Sequence, residues 1–408
     1  MRTSLAGYGK VVVRHRRLLG FGALLMAMSS AGQTFFIALF GAHVRDAFDL
    51  SDGSFGTVYA AATMASALTV AWAGRFVDSM SVRRFTAGIA VMLSSACLLL
   101  AWSPSLPVLV VSLYLLRLSG QGLMVHTAMT TVARALPNDR GKAIGLAALG
   151  LALGEALFPM AAVGGISSLG WRPVWVANAA FVLLGSALAL MLVHTRSGGP
   201  TAFAAPAPAP VRKESAIWRN PRFARSLPLL LCAPFMSTGI FFHQARLAQE
   251  KDWSLRLIAT WFVAYALSRA VSLLWVGAVL DRHSAARVLP LLAVPLGLAM
   301  LLIAVVRQPW VVPVYMLLFG LAAAASSSLE TALWAETYGP HRLGRVRALT
   351  QGWGVLASGL APAVMGLLLD RGVSLSAQAV GLLLIAVAAG LFASDLIHAV
   401  GNTKPQAR

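Results

Sequence analysis

Charge is scarce in this chain, and acid scarcer still. Of 408 residues only 12% are Asp, Glu, Lys or Arg, about half the share of a soluble domain, which is roughly one-quarter charged. Fourteen acidic residues stand against 33 basic ones, a formal net charge of +19 at pH 7. With 58% hydrophobic residues, such a chain would expose a large apolar surface to water, so lipid is the solvent it implies. Cysteine is nearly missing. Cys97 and Cys232 each sit in an apolar run with no metal-ligating neighbour, which excludes a disulfide framework and a cysteine-based metal site. The motifs Gly-x-x-x-x-Gly-Lys-(Ser/Thr), His-Glu-x-x-His and Gly-x-Ser-x-Gly do not occur. ATP-driven, zinc-dependent and serine-nucleophile chemistry therefore lack their machinery. No enzyme activity, cofactor or metal is expected. Nor does the basic excess imply nucleic acid, because the Lys and Arg lie in short clusters between apolar runs and not on one folded face.

What is present is a succession of long apolar runs. Reading for about 20 apolar residues at a time finds twelve: 18–42, 53–74, 85–103, 107–133, 143–167, 173–194, 227–248, 256–277, 288–306, 309–335, 348–369 and 376–399. The first follows a basic segment (Lys10, Arg14, Arg16, Arg17). It is too long for a signal peptide and no small-residue cleavage site follows, so it reads as an uncleaved span. Between the sixth and seventh runs lies TRSGGPTAFAAPAPAPVRKES, residues 195–215, whose Ala-Pro repeats extend as a semi-rigid spacer. The expected organisation is a six-helix bundle over 1–194, a cytoplasmic linker over 195–225 and a second six-helix bundle over 226–408. Placing both termini in the cytoplasm puts 24 of the 33 Lys and Arg on that side. Seven fall outside (Arg45, Arg172, Arg246, Lys251, Arg256, Arg307, Arg371) and two lie inside spans, which is the bias expected of cytoplasmic loops.

The two halves echo one another. At an offset of 203, Trp72 pairs with Trp275, Gly74 with Gly277, Asp78 with Asp281 and Arg84 with Arg287. At an offset of 205, Arg140, Lys142, Ala143 and Gly154 pair with Arg345, Arg347, Ala348 and Gly359. An even number of spans per half keeps both copies in the same orientation, a parallel repeat about an axis along the membrane normal.

These residues carry a resemblance to the major facilitator superfamily that covers essentially the whole chain. That family's loop between helices 2 and 3 reads Gly-x-x-x-Asp-(Arg/Lys)-x-Gly-x-(Arg/Lys)-(Arg/Lys). Gly74, Asp78, Arg83 and Arg84 match it, as do Gly277, Asp281, Arg282 and Arg287, while Ser79, Ser81, Ser284 and Ala286 depart. The resemblance implies an all-α membrane protein of twelve transmembrane helices in two pseudo-symmetric six-helix bundles. It also implies alternating access to a midplane site and an inside gate closed by this motif. Locally, the glycine would let helix 2 approach a neighbour closely, and the Asp would lie within reach of the arginines and of another helix's N-terminus.

Four ionisable residues lie inside apolar runs: Arg117, Glu155, Arg269 and Glu330. Such a residue costs about 3 kcal/mol or more to place there and is a functional candidate by default. They read either as structural pairs, Arg117–Glu155 and Arg269–Glu330, or as substrate and coupling groups. An Arg suits a carboxylate through paired hydrogen bonds, and a Glu there can take up a proton. RLSGQG, Arg117 to Gly122, is similar to the arginine-and-glycine pattern of helix 4 in many family members. Arg269 resembles an arginine of helix 8 in the monocarboxylate and oxalate carriers. The Gly-Pro dipeptide of the family's antiporters has no counterpart among Gly150, Gly154, Pro159, Gly164 and Gly165. In GIFFHQ, Gly239 would loosen the helix before Phe241, Phe242, His243 and Gln244. Helices 1 and 7 are paired cavity helices in the family, so Gln33 and Thr34 join the candidates with Gln121 one turn beyond Arg117. His126 is a weaker candidate, and Asp395 reads as an anchor.

The expectation is a secondary transporter of the inner membrane, acting as a monomer in the lipid bilayer on a small-molecule substrate. The finer reading is uptake of an organic anion by symport with a proton. The alternatives are drug or metabolite efflux by proton antiport and, outside transport, a membrane receptor or assembly factor that moves nothing.

Overall fold

Apolar runs of this length close into helices because every backbone polar group must be satisfied within its own segment in lipid. The computed structural model describes residues 2–73, 80–193 and 217–401. Among these residues there is no strand. The helices are α1 (Arg2–Met28), α2 (Thr34–Ile37), α3 (Gly41–Phe48), α4 (Asp52–Ala73), α5 (Val82–Ala101), α6 (Leu106–Leu116), α7 (Val125–Ala135), α8 (Arg140–Leu169) and α9 (Trp171–Leu192). There follow α10 (Pro221–Phe242), α11 (Gln244–Lys251), α12 (Leu255–Leu280), α13 (Ala285–Val288), α14 (Ala293–Val305), α15 (Val311–Tyr338), α16 (Pro340–Asp370) and α17 (Leu375–Gly401). Among the described residues eleven spans are long and apolar enough to cross a membrane, or up to twelve when the bent pair Tyr8–Gly32 and Thr34–Phe48 counts as one. Most of the expected linker, residues 195–216, lies outside the described residues. Its last part does not remain linker: Asn220 caps α10, its side chain accepting the Arg222 amide at 2.9 Å, and Pro221 fills the first helical position, where a missing N–H costs nothing.

Two compact units form, residues 1–49 with 61–209, and residues 50–60 with 210–408. In the first, α1 packs on α8 and α9, and α5 packs on α9. In the second, α10 packs on α16 and α17, and α14 packs on α17. First-on-fifth, first-on-sixth and third-on-sixth spans are thus neighbours in each unit.

The repeat also reaches positions that carry no motif. Asp49 and Asp252, 203 residues apart, are the two non-glycine residues with positive φ among the described residues, 51° and 58°. Each ends a short helix, α3 or α11, and each is followed two residues on by a serine that caps the next helix. The Ser51 hydroxyl accepts the Ser54 amide at 3.0 Å, and that of Ser254 accepts the Leu257 amide at 3.1 Å. Asp tolerates the left-handed conformation better than most residues, and serine is a preferred cap.

The first span of each unit is interrupted, contrary to the continuous runs expected over 18–42 and 227–248. In the first, α1 gives way at Met28 to a tight turn, Ser29–Gly32, and Gln33 is extended (φ −85°, ψ 150°) before the helix resumes at Thr34. The Ser29 hydroxyl donates to the Met26 carbonyl at 2.7 Å, the local competition by which serine disturbs a helix. In the second, the break falls at His243 (φ −93°, ψ 20°). Gly239, expected to loosen this helix, is regular helix. Its lack of a side chain serves packing instead, since a Cβ there would stand 2.2 Å from Met365 Sδ.

Candidate functional site

The break in α1 is where polar groups of the first unit converge. Arg117 is 3% exposed, and three acceptors from two neighbouring segments hold its guanidinium. Nη1 donates to the Gly32 carbonyl at 2.9 Å and to Thr34 Oγ1 at 3.3 Å, and Nε donates to Thr63 Oγ1 of α4 at 3.1 Å. The span that carries Arg117 is not α-helical here. Residues Arg117–Met124 form a wider π-helical stretch between α6 and α7, a local distortion frequent at functional sites. Two glycines permit the approach. A Cβ on Gly32 would lie 2.1 Å from the Leu116 carbonyl oxygen, and one on Gly120 would lie 2.7 Å from the Gly32 Cα. Gln121 is half-buried on the same stretch, and its Oε1 has no hydrogen-bond partner.

On α8 lies Glu155, buried at 5% exposure. Gly150 lets α8 lie directly on α1, where a Cβ would stand 1.8 Å from the Ala23 carbonyl oxygen, and Gly154 faces the break, where a Cβ would stand 2.1 Å from Ser30 Oγ. Arg117, through Gly32 and Thr34, and Gly154, the residue before Glu155, thus reach the same segment, Ser30–Thr34. Gln33 and Thr34 are half-buried within it. Chemically this is a cation, a carboxyl and several neutral hydrogen-bonding groups set into apolar helices.

In the second unit the candidates are spread over α10, α11, α12 and α15. His243 is buried and bonded through Nε2 to the Pro362 carbonyl of α16 at 3.0 Å. Gln244 beside it is 1% exposed. Arg269 is half-buried on α12, where Gly320 of α15 comes close enough that a Cβ would meet the Arg269 amide nitrogen at 3.0 Å. Glu330 accepts a hydrogen bond from the Thr350 hydroxyl of α16. His126 is half-buried on α7, and Asp395 is exposed near the end of α17.

Of the loop motif, Gly74 and Asp78 lie outside the described residues. Arg83 and Arg84 are exposed at the start of α5, as are Arg282 and Arg287 around α13. The motif departure Ser81 caps α5, accepting the Arg84 amide at 3.4 Å, and Ser284 holds the matching position before α13. The close approach expected at Gly277 is not found, since nothing lies within 4 Å of a Cβ built there. Asp281 is exposed at the end of α12. The carboxylate that reaches a neighbouring helix start is Glu336 of α15, which accepts the Ala285 amide of α13 at 2.8 Å.

Sequence reasoning passed over Glu336 and three further carboxylates. Asp370, at the end of α16, accepts the Gly53 amide at 3.0 Å and the Ser51 hydroxyl at 2.7 Å. Glu250 accepts the amides of Leu375 at 2.7 Å and Ser376 at 2.9 Å. Asp52 faces His243, 3.7 Å from its Nδ1. Their signal was the scarcity of acid itself. With 14 Asp and Glu in the chain, those at the ends of apolar runs were worth reading as caps of distant helices.

A model of the Major Facilitator Superfamily matches residues 21–362 and 233–406. Among solved structures, the chain is similar to a bacterial homolog of the human lysosomal transporter Spinster. In its inward-facing occupied form the TM-score is 0.72 at 15% identity, over 96% of this chain and 97% of that one. In its inward-facing unoccupied form the TM-score is 0.73 at 15% identity, over 96% and 99%. The nucleoside transporter NupG is similar at a TM-score of 0.73 and 14% identity, over 95% and 99%. No curated protein matches the sequence.

Proposed function

Because the chain belongs to the major facilitator superfamily and is a multi-pass membrane transporter, not an enzyme, we propose that it takes up a small organic anion together with a proton. The observation that carries this reading is the buried Arg117, held by Gly32, Thr34 and Thr63 at the broken segment of α1. A guanidinium fixed in a low-dielectric site attracts a carboxylate more strongly than one in water. Glu155, buried on α8 next to Gly154, supplies a carboxyl that can exchange a proton as the anion comes and goes. Gln33 and Gln121 add neutral hydrogen-bonding groups, and Gln121 Oε1 has no hydrogen-bond partner. In the second unit, Arg269, Glu330, His243 and Gln244 remain the proposed counterparts, and the Arg-rich loop motif the proposed gate.

The Lys and Arg bias supports cytoplasmic termini in an inner membrane. The six-plus-six division, with bundles over 1–194 and 226–408, supports a monomer that works by alternating access.

The test is flux into proteoliposomes. With a panel of labelled mono- and dicarboxylates and an imposed pH gradient, uptake of at least one acid should accelerate when the outside is acidic. Arg117→Ala should abolish it while the protein still inserts and folds. Carboxylate uptake indifferent to the gradient would remove the proton. Absence of carboxylate flux, with export of neutral or cationic compounds instead, would overturn the anion reading in favour of antiport.

A further inference from the structure

One buried titratable group outside the Arg117 cluster stands where three helices meet. We propose that His243 and Asp52 form a proton-binding latch. While His243 carries two protons the latch holds the Asp52 end of α4 inside the second unit, and loss of one proton releases it.

The geometry assigns the protons. His243 Nε2 lies 3.0 Å from the Pro362 carbonyl oxygen. A carbonyl only accepts, so Nε2 carries a proton. Nδ1 then points toward Asp52 Oδ1 at 3.7 Å, an ion-pair distance, with the imidazole side chain 2% exposed and the carboxylate 15% exposed. A neutral ring would present its lone pair to the carboxylate and repel it. A doubly protonated ring attracts it in surroundings that water screens poorly. Histidine is the side chain that makes this change between about pH 5 and 8.

Uncharged packing also holds the segment. Gly56 lies on the same Pro362 carbonyl, where a Cβ would stand 2.2 Å from the oxygen. Phe55 and Tyr59 pack on Phe242, with ring centroids 5.1 and 4.7 Å apart. Charged or titratable groups around the latch are few. From α4 come Asp52 and Tyr59. From the end of α16 come Asp370, bonded to Gly53 and Ser51, and exposed Arg371. From α11 come Arg246, directed at Gln249, Glu250, bonded to the start of α17, and Lys251, bonded to the Ala304 carbonyl. The packed part of α17, from Leu375 to Ser394, carries no ionisable side chain. Residues 50–60 count with the second unit, whereas the rest of α4 counts with the first. A proton at His243 thus bears on the part of α4 that belongs to the second unit. The latch needs no assumption about the cargo.

The test is hydrogen–deuterium exchange of the full-length protein in lipid nanodiscs between about pH 5 and about pH 8, with rates corrected for intrinsic exchange. Protection of amides 52–60 should fall about tenfold across this range, the effect of one pKa unit of differential interaction. It should stay flat in His243→Gln, which still donates to Pro362 but takes up no proton, and in Asp52→Asn. Wild-type protection that does not vary with pH would overturn the latch. So would a fall of equal size in either variant. Should His243→Gln fail to fold, the wild type and Asp52→Asn decide the matter between them.

Discussion

Asp370 closes the start of a helix that begins 318 residues earlier: its carboxylate accepts the Gly53 amide at 3.0 Å while also holding the Ser51 hydroxyl. The first amides of a helix have no partner within it, and a carboxylate there gains from both hydrogen bonding and the helix dipole. Asp370→Ala should lower stability by about 1–2 kcal/mol, read as the unfolding midpoint of purified protein. Asp370→Asn, which keeps an acceptor but not the charge, should recover part of the loss. An unchanged midpoint in Asp370→Ala would show that the cap is dispensable.

Gly32 and Gly120 leave no room for a methyl group, since a Cβ on Gly32 would stand 2.1 Å from a backbone oxygen. Gly32→Ala and Gly120→Ala should each cost about 1–3 kcal/mol, as overpacking does, and should displace Arg117 from the broken segment. Gly88→Ala is the control, because nothing lies within 4 Å of its Cβ position. Equal melting behaviour in all three proteins would contradict the packing described.

Arg117→Lys preserves the charge but not the fork that reaches Gly32, Thr34 and Thr63 together. Lysine is a point charge on a flexible stem. Transport by Arg117→Lys should therefore fall at least about tenfold, the effect of one lost 1.4 kcal/mol interaction. Full activity would mean that charge alone matters at this position.

Lys251 is 5% exposed and bonded only weakly, at 3.4 Å, to the Ala304 carbonyl. Burial pushes its ammonium below the ordinary 10.5, with Glu250 opposing and Arg307 adding to the shift. The folded chain thus binds this proton less tightly than the unfolded chain does. The stability cost is full below the lowered value, shrinks as pH rises toward 10.5 and is gone above it. The unfolding midpoint should therefore gain a rising component on the alkaline side that Lys251→Met lacks. The same slope in both proteins would remove Lys251 as its source.

The residue types of the candidate site were legible in the sequence, and little of their arrangement. Arg117 and Glu155 stood out because an ionisable residue in an apolar run has few explanations. That Thr63, Gly32 and Gly120 position Arg117 was not readable, because each is an ordinary helix residue until two backbones meet. His243 was legible as a polar residue after a glycine, but its partners Asp52 and Pro362 come from helices 191 residues before and 119 residues after it. The recurring Asp49 and Asp252 turns were present at the same offset as the loop motif, and became recognisable only when both showed positive φ.

Composition and periodicity alone determined that this chain is helical, lies in lipid and repeats itself, because scarce charge and 20-residue apolar runs admit almost no other solution. Tertiary structure decided where the helices break, which glycines face backbone, and which carboxylates end up on which helix starts. Those outcomes depend on contacts between residues far apart in the chain, and hydropathy, which sums over neighbours, carries no record of them.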